Sequence, residues 1–305
     1  MKKLRLALDW TPNINHIGFF VAQEKGFYKA LDLDVEIIDP SIDNYQITPA
    51  KKVELGQADF ALCPTESVIS YRTKSQPFQL IGIASILQED LSAIAVLSDS
   101  GIGAPKDLDG KTYSSYQARY EDGIVREMIK NDGGQGDLNI TYPAKLGIWN
   151  TLLQGACDAT WIFLNWEGVQ AKASAHQLNY FKMRDYQIPY SYSPLIVADE
   201  AKIAEHQTAY RDFLEATKKG FLYCQDFGEE ATHLLAKYIP EGDRQIQLDE
   251  ALELTAPHFG NADNWGRLDP EVIQTFLNWI KAKKLETAEL RVTDIATSEL
   301  TNSTA

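Results

Sequence analysis

Positive charge is scarce in this sequence: 29 lysines and arginines stand against 43 aspartates and glutamates, for a net charge of −14. A sequence-independent nucleic-acid binder needs a basic surface to contact phosphates, so no nucleic-acid partner is expected. The same charge disfavours docking on an anionic membrane leaflet. No apolar run approaches the ~20 residues that a membrane helix requires, so we expect no membrane insertion.

Cysteine and histidine are scarce as well. The three cysteines, Cys63, Cys157 and Cys224, are widely spaced and form neither a disulfide framework nor a CxxC metal motif. The five histidines do not occur at paired ligand spacing. We therefore expect no metal site and no bound cofactor.

Motifs of several enzyme classes are missing. The sequence has no G-x-S-x-G, no H-E-x-x-H, no P-loop and no G-x-G-x-x-G after a strand. Serine hydrolases, zinc proteases and dinucleotide-binding enzymes are therefore disfavoured. No residue is predicted to be catalytic.

Strand and helix patterns alternate over the first 74 residues. Leu4, Leu6 and Leu8 predict the buried face of a strand, and helical spacing follows over 16–30. The next elements are predicted in the order strand, helix, strand, helix, at 33–38, 46–55, 59–62 and 64–74. This alternation predicts β-α-β units on a mainly parallel sheet, which is an α/β architecture.

A later stretch repeats the same pattern. Gly56-x-x-Asp59 is answered by Gly155-x-x-Asp158, and the strand pattern at 33–37 is answered at 138–142. Two echoes in the same order predict two lobes of similar architecture. With chain crossings near 88–92 and 184–194, we expect lobe 1 at 1–90 plus 190–305, including a helical C-terminal part, and lobe 2 at 91–189.

Such lobes place a ligand cleft between them, because ligands bind beyond the carboxyl ends of parallel strands. This rule, together with the position of Tyr190 in the return crossing, selects the candidate ligand-binding residues. They are Asp9, Trp10, Asn13, His16, Cys63, Thr65, Glu66, Ser114, Tyr116, Tyr120, Glu121, Trp161, Phe163, Asn165, Trp166, Glu167 and Tyr190.

The candidate set is aromatic and acidic. It suits a planar, neutral or weakly basic heterocycle that stacks between rings and donates hydrogen bonds to a carboxylate. A phosphate or sulfonate would need more than the single Arg119 nearby. The alternative is that many of these aromatic side chains belong to the lobe cores.

The opening residues resemble a known family. The segments LDWTPNINHIG at 8–18 and VAQEKGFY at 21–28 resemble the thiamine-pyrimidine-precursor branch of type II periplasmic-binding-protein-like folds. That branch holds bacterial binding proteins for formylaminopyrimidine and fungal pyrimidine synthases. The resemblance covers residues 1 to about 200. It implies that Trp10 stacks on the ring, that Asn13 and His16 are cleft groups, and that Glu167 recognises an aminopyrimidine.

The same resemblance argues against the synthase chemistry. The lysine and histidine that the fungal synthases use after the third strand fall on Cys63 and Ser67. Their cysteine-rich segment would lie near 183–195, where this chain has no cysteine. The resemblance therefore implies a non-enzymatic pocket that lacks the amine for pyridoxal phosphate.

We thus expect a monomeric solute-binding protein that closes by a hinge around an aminopyrimidine, serving an ABC permease or thiamine salvage. A synthase-like enzyme and a binding protein for an alkanesulfonate or another small nutrient remain alternatives. The N-terminus alternates charged and apolar residues rather than showing a leader. The expected location is cytoplasmic as the chain reads, or periplasmic if a leader was removed.

Overall fold

The structure is a computed structural model that describes residues 1–174 and 176–301. Within these residues, ten strands form two sheets of five strands each. The strands are β1 Lys2–Ala7, β2 Leu33–Ile38, β3 Phe60–Cys63, β4 Leu80–Ser85, β5 Ser92–Leu97, β6 Lys111–Ser114, β7 Leu138–Thr141, β8 Ala159–Phe163, β9 Leu178–Lys182 and β10 Leu195–Asp199.

Twelve α-helices flank the sheets within the described residues. They are α1 Ile17–Glu24, α2 Phe27–Ala30, α3 Pro49–Glu54, α4 Thr65–Thr73, α5 Glu121–Asn131, α6 Ile148–Leu153, α7 Glu167–Ala173, α8 Glu200–Asp226, α9 Gly228–Ala236, α10 Leu248–Thr255, α11 Pro270–Ala282 and α12 Val292–Ile295. The single helix predicted over 16–30 is wrong. Gly26 adopts a left-handed φ of +73°, which ends α1 and begins α2 at a new angle.

The two sheets share one topology. Their strand orders are β2-β1-β3-β10-β4 and β7-β6-β8-β5-β9. In each sheet four strands run in the same direction and one, β10 or β5, runs against them. That reversed strand is in each case the first strand after the chain crosses from the other sheet. The predicted α/β fold with two mainly parallel sheets is confirmed.

The repeated Gly-x-x-Asp motif joins equivalent strands in the two sheets. The Asp59 carboxylate accepts the Arg5 backbone N–H at 2.8 Å, and the Asp158 carboxylate accepts the Thr112 N–H at 2.7 Å. Each aspartate immediately precedes the central strand of its sheet, β3 or β8, and thus connects that strand to the neighbouring parallel strand, β1 or β6. Gly56 has a left-handed φ of +68° at the preceding helix end, which explains the glycine in the motif.

The chain changes sheet twice, between β4 and β5 and between β9 and β10. We call the first sheet with its helices the first lobe, and the second sheet with its helices the second lobe. The long helix α8 packs on α1 of the first lobe, where Phe221 lies edge-on to Phe19 with ring centroids 5.3 Å apart. A Cβ on Gly220 would lie 2.0 Å from the Gly18 carbonyl oxygen, so glycine permits this close approach.

The segment after α11 contacts both lobes. The Glu286 carboxylate accepts hydrogen bonds from Thr73 of the first lobe at 2.8 Å and from Tyr120 of the second lobe at 2.5 Å. Arg119 of the second lobe lies 3.0 Å from the same carboxylate. Glu286 therefore bridges the two lobes, and the predicted lobe boundaries stay a prediction.

No helix within residues 1–174 and 176–301 is long and apolar enough to cross a membrane. The same ranges contain no group of three or more His, Cys, Asp or Glu side chains placed to hold a metal ion.

Candidate functional site

A cavity of ≈ 420 Å³ lies between the two lobes. The first lobe contributes residues that follow β1 and β3, and the second lobe contributes residues from β8 and the turns after β6 and β7. All these segments lie at carboxyl ends of parallel strands, where the strand rule places ligands. The volume falls in the range of sites that enclose small molecules.

The structure brings most of the predicted residues into one cavity wall. These are Asp9, Trp10, Asn13, Cys63, Glu66, Tyr116, Glu121, Trp161, Phe163, Trp166, Glu167 and Tyr190. Trp10 of the first lobe and Glu167 of the second lobe therefore face the same space. Binding by each of these side chains stays a prediction.

Five predicted residues lie outside the wall: His16, Thr65, Ser114, Tyr120 and Asn165. His16 is fully buried one layer behind it. Its Nδ1 faces the Asn13 backbone N–H at 3.3 Å, and its Nε2 lies 2.8 Å from Asp9 Oδ1. Because Nδ1 accepts that N–H, we assign the proton to Nε2, which donates it to Asp9. His16 thus positions the Asp9 carboxylate.

The other four residues hold the backbone and the lobes together. Thr65 donates its hydroxyl to the Tyr192 carbonyl at 2.9 Å. The Asn165 amide donates to Asn15 at 2.8 Å and is almost completely buried. Ser114 bonds to threonines beside its own strand, and Tyr120 bonds to Glu286. Each of these four side chains has a hydrogen-bond partner within the protein and none lines the cavity, although Asn165 Oδ1 is buried without a partner among the described residues.

The first-lobe ring, Trp10, lies between two tyrosines. Its centroid is 5.7 Å from that of Tyr45 and 5.6 Å from that of Tyr116, and the Tyr116 ring lies edge-on at 78°. Tyr45 was not predicted. It lies in the connection between β2 and α3, where its backbone has a left-handed φ of +59°, and its hydroxyl donates to the Asp9 carbonyl at 2.6 Å.

A second aromatic group covers the opposite part of the cavity. The Trp161 and Tyr190 rings are 5.1 Å apart, and Tyr190 also contacts Phe276 of α11 at 5.5 Å. Trp166 lines the cavity but is only 2% exposed and packs in the first-lobe core. The predicted alternative, that these rings belong to the cores, thus describes Trp166 best.

The Glu167 carboxyl lies at the start of α7 and is 6% exposed. Its Oε2 accepts the Phe163 backbone N–H at 2.9 Å. Burial raises the pKa of Glu167 to about 7, although the Phe163 N–H opposes that rise. A carboxyl group with this pKa can either accept a donor as the anion or share a proton with a ring nitrogen.

Glu121 lines the cavity and stabilises the loop beside it. Its carboxylate accepts the Tyr113 hydroxyl at 2.7 Å and the backbone N–H groups of Tyr116 and Ala118 at 3.0 and 3.2 Å. Burial raises the pKa of Glu121, while the Tyr113 hydroxyl opposes the rise. These bonds fix the loop that carries Tyr116 into the cavity.

Two basic side chains reach the wall. Arg119 is already paired with Glu286. Lys145 lies with Nζ 5.1 Å from the Tyr45 ring centroid, and none of the described carboxylates pairs with it. Burial lowers the pKa of Lys145, while Glu121 acts in the opposite direction.

Lys145 is an amine that the sequence reasoning missed. It follows the carboxyl end of β7, so the strand rule itself could have found it. The expectation that the pocket lacks an amine is therefore corrected. At the position matched to the synthase lysine, Cys63 lines the wall as a neutral thiol, because burial holds its pKa well above the ordinary value.

Curated relatives match almost the whole chain. A formylaminopyrimidine-binding protein of Halalkalibacterium halodurans is 24% identical over 92% of this chain and 86% of its own length. A putative thiamine biosynthesis protein of Haemophilus influenzae is 25% identical over 93% and 88%. A 4-amino-5-hydroxymethyl-2-methylpyrimidine phosphate synthase of Legionella pneumophila is 23% identical over 78% and 74%.

Solved structures share the fold. The alkanesulfonate-binding protein of Xanthomonas axonopodis pv. citri has a TM-score of 0.73 at 12% identity, with 97% of this chain and 98% of that chain covered. The nitrate-binding protein of Synechocystis PCC 6803 has a TM-score of 0.72 at 13% identity, with 98% and 87% covered. The family model described as NMT1/THI5 like matches residues 13–231. The chain therefore belongs to the NMT1/THI5-like family and has the periplasmic-binding-protein fold.

Proposed function

We propose that this protein is a non-enzymatic solute-binding protein for a planar aminopyrimidine, a precursor of the thiamine pyrimidine. The observation that carries the proposal is that Trp10 and Glu167, from opposite lobes, line one cavity of ≈ 420 Å³. The indole face of Trp10 can stack on a heteroaromatic ring, and the Glu167 carboxylate can accept a hydrogen bond from an amino group on that ring. A ligand held by both groups would draw the lobes together.

Hinge closure is the mechanism in this proposal. The segments between β4 and β5 and between β9 and β10 pass between the lobes and would act as hinges. Closure would remove the ring from water and strengthen its hydrogen bond to Glu167. The formylaminopyrimidine-binding protein that matches 92% of the chain supports this ligand class. The proposal includes a monomer that delivers its ligand to an ABC permease.

A thermal-shift panel tests the ligand class. Formylaminopyrimidine, hydroxymethylpyrimidine and thiamine are compared with taurine at equal concentrations. Because a ligand that binds only the folded state stabilises it, the aminopyrimidines should raise the melting temperature, and tighter binders should raise it more at equal concentration. A response to taurine with none to the pyrimidines would contradict the proposal and favour a sulfonate ligand.

Lys145 supports a second candidate function, that of a synthase-like enzyme, because its amine could bind pyridoxal phosphate. The remaining residues fit that cofactor poorly, because Arg119 is paired with Glu286 and no described histidine lines the cavity. Pyridoxal phosphate is added to the purified protein and the Schiff-base absorption band is recorded. A band that disappears in Lys145→Ala would support the enzyme; no band in the wild type supports the binding protein.

A further inference from the structure

Glu66 presents a second carboxyl group to the cavity, from the first lobe. It lies at the start of α4, is 5% exposed and lines the cavity wall. Its Oε1 accepts the Tyr190 hydroxyl at 3.2 Å. Its Oε2 is buried and has no hydrogen-bond partner in the part of the chain that the structure describes. A buried acceptor without a donor is costly, so this atom calls for a donor from a bound molecule.

The surroundings of Glu66 favour a hydrogen-bond donor or a positive charge. Burial opposes the ionisation of Glu66 and repulsion from Glu121 of the second lobe adds to it, so the pKa of Glu66 rises to about 8. The Glu121 oxygens already accept three donors, which leaves Glu66 as the free acceptor of the two. No described lysine or arginine pairs with Glu66. An anionic group would meet repulsion here.

Glu66 and Glu167 have different neighbours. Glu66 is influenced by Glu121 and Tyr190, whereas Glu167 is influenced by Asp243 and Asp9. The two carboxyl groups come from different lobes, because Glu66 lies at the start of α4 and Glu167 at the start of α7. A ligand that satisfies both must carry two donor groups.

We propose that Glu66 Oε2 accepts a hydrogen bond from an amine or amide N–H on a side chain of the ligand ring, while Glu167 accepts the ring amino group. This inference rests on the proposed function and deepens it. It makes Glu66 a specificity residue that selects an unphosphorylated ligand with a second N–H donor. A phosphate ester at the same ring position places negative charge beside two carboxyl groups and is rejected.

Titration calorimetry with three synthetic probes tests the inference. The probes are 4-amino-5-aminomethyl-2-methylpyrimidine, 4-amino-2,5-dimethylpyrimidine, which lacks the second donor, and the phosphate ester of 4-amino-5-hydroxymethyl-2-methylpyrimidine. The proteins are the wild type, Glu66→Gln and Glu167→Gln. Glu205→Gln, a substitution at a side chain that is 75% exposed, is the matched control.

At pH 8.5, above the pKa of about 8 where Glu66 is ionised, the wild type should bind the aminomethyl probe about 10- to 100-fold more tightly than the dimethyl probe, as expected for a hydrogen bond to a charged group. Glu66→Gln keeps only a neutral amide oxygen as acceptor, so it should reduce that preference by about fivefold or more and weaken the dimethyl probe less than the aminomethyl probe. Glu167→Gln should weaken both probes alike. The phosphate ester should bind more weakly than either probe.

Three results would overturn the inference. A preference unchanged in Glu66→Gln would show that another group reads the second donor. An equal loss for both probes would make Glu66 a general structural residue, and tightest binding of the phosphate ester would exclude the proposed selectivity. If the wild type binds none of the probes, the proposed function fails together with the inference. Circular dichroism and thermal unfolding of each variant verify that it folds.

Discussion

The His16 imidazole donates a hydrogen bond to the Asp9 carboxylate, with 2.8 Å between Nε2 and Oδ1. His16 is completely buried, whereas the Asp9 side chain remains 18% exposed at the cavity. The pair therefore joins a core residue to the wall of the site. A residue outside the cavity wall thus sets the position of a residue within that wall.

Replacing His16 with Phe should lower ligand affinity although the ring does not face the cavity. Without Nε2, the Asp9 carboxylate loses its buried donor and can rotate, so we expect affinity to fall about tenfold. Calorimetry with formylaminopyrimidine measures the change, and His16→Gln, which keeps an N–H donor, is the control. An affinity unchanged in His16→Phe would exclude the positioning role.

Trp10→Ala should weaken binding more than Trp10→Phe. Base–aromatic stacking contributes about 1–3 kcal/mol per base by alanine substitution, so Trp10→Ala should reduce affinity about 10- to 100-fold. Phe retains a smaller ring face and should lose less. Quenching of tryptophan fluorescence or calorimetry gives the affinities. Trp149→Phe is the matched control, because this tryptophan packs beside the small second-lobe core away from the cavity wall. Equal affinities for wild type and Trp10→Ala would contradict ring stacking.

Glu66→Gln should stabilise the ligand-free protein, increasingly so as pH rises. Burial, with Glu121 adding repulsion, raises the folded pKa of Glu66 to about 8 from its ordinary value of 4.5. Between these values the folded state binds more protons at this group than the unfolded state, so its contribution to stability falls as pH rises. Glu66→Gln has no carboxyl group to ionise at this position, so its stability does not show this fall. Its melting temperature minus that of the wild type should therefore be larger at pH 8 than at pH 5; a constant difference would exclude the buried ionisation.

Glu286 should make the protein sensitive to acid. Partial burial opposes ionisation, but donors that include the Tyr120 hydroxyl and the Ala288 N–H outweigh it and lower the pKa of Glu286 to about 2. Its stabilising contribution is complete above about pH 4.5 and is lost as pH falls towards 2.

Denaturant unfolding of wild type and Glu286→Gln at pH 7 and pH 3 measures this contribution. The stability difference should be smaller at pH 3 than at pH 7. Glu289→Gln is a matched control, because its side chain is 82% exposed nearby. A difference independent of pH would show that Glu286 acts by shape alone.

The sequence patterns predicted the strands and sheets more accurately than they predicted which side chains line the cavity between the lobes. Gly56-x-x-Asp59 and its echo encode strand connections locally, so the two-lobed topology could be read from spacing. Glu167 was placed correctly in the cavity wall, but Asn165, two residues earlier, turns into the core to meet Asn15. Strand-end rules give a position in the chain, whereas side-chain direction depends on tertiary packing.

Tyr45 and Lys145 are the opposite case, because both line the cavity although neither was predicted to do so. Tyr45 reaches Trp10 only because its backbone is left-handed, and nothing in a tyrosine side chain predicts that conformation. Lys145 lies in a short helical turn after β7, and its neighbour Tyr45 comes from the other lobe. Contacts between lobes depend on their relative placement, which periodicity does not encode.

Glu286 links the lobes beside the two chain crossings, because it accepts hydrogen bonds from Thr73 and Tyr120, which come from opposite lobes. The bond from Asn165 to Asn15 links the lobes at another point. Separation of the lobes must therefore either break these bonds or pivot about them, so their strength contributes to the free-energy cost of ligand entry.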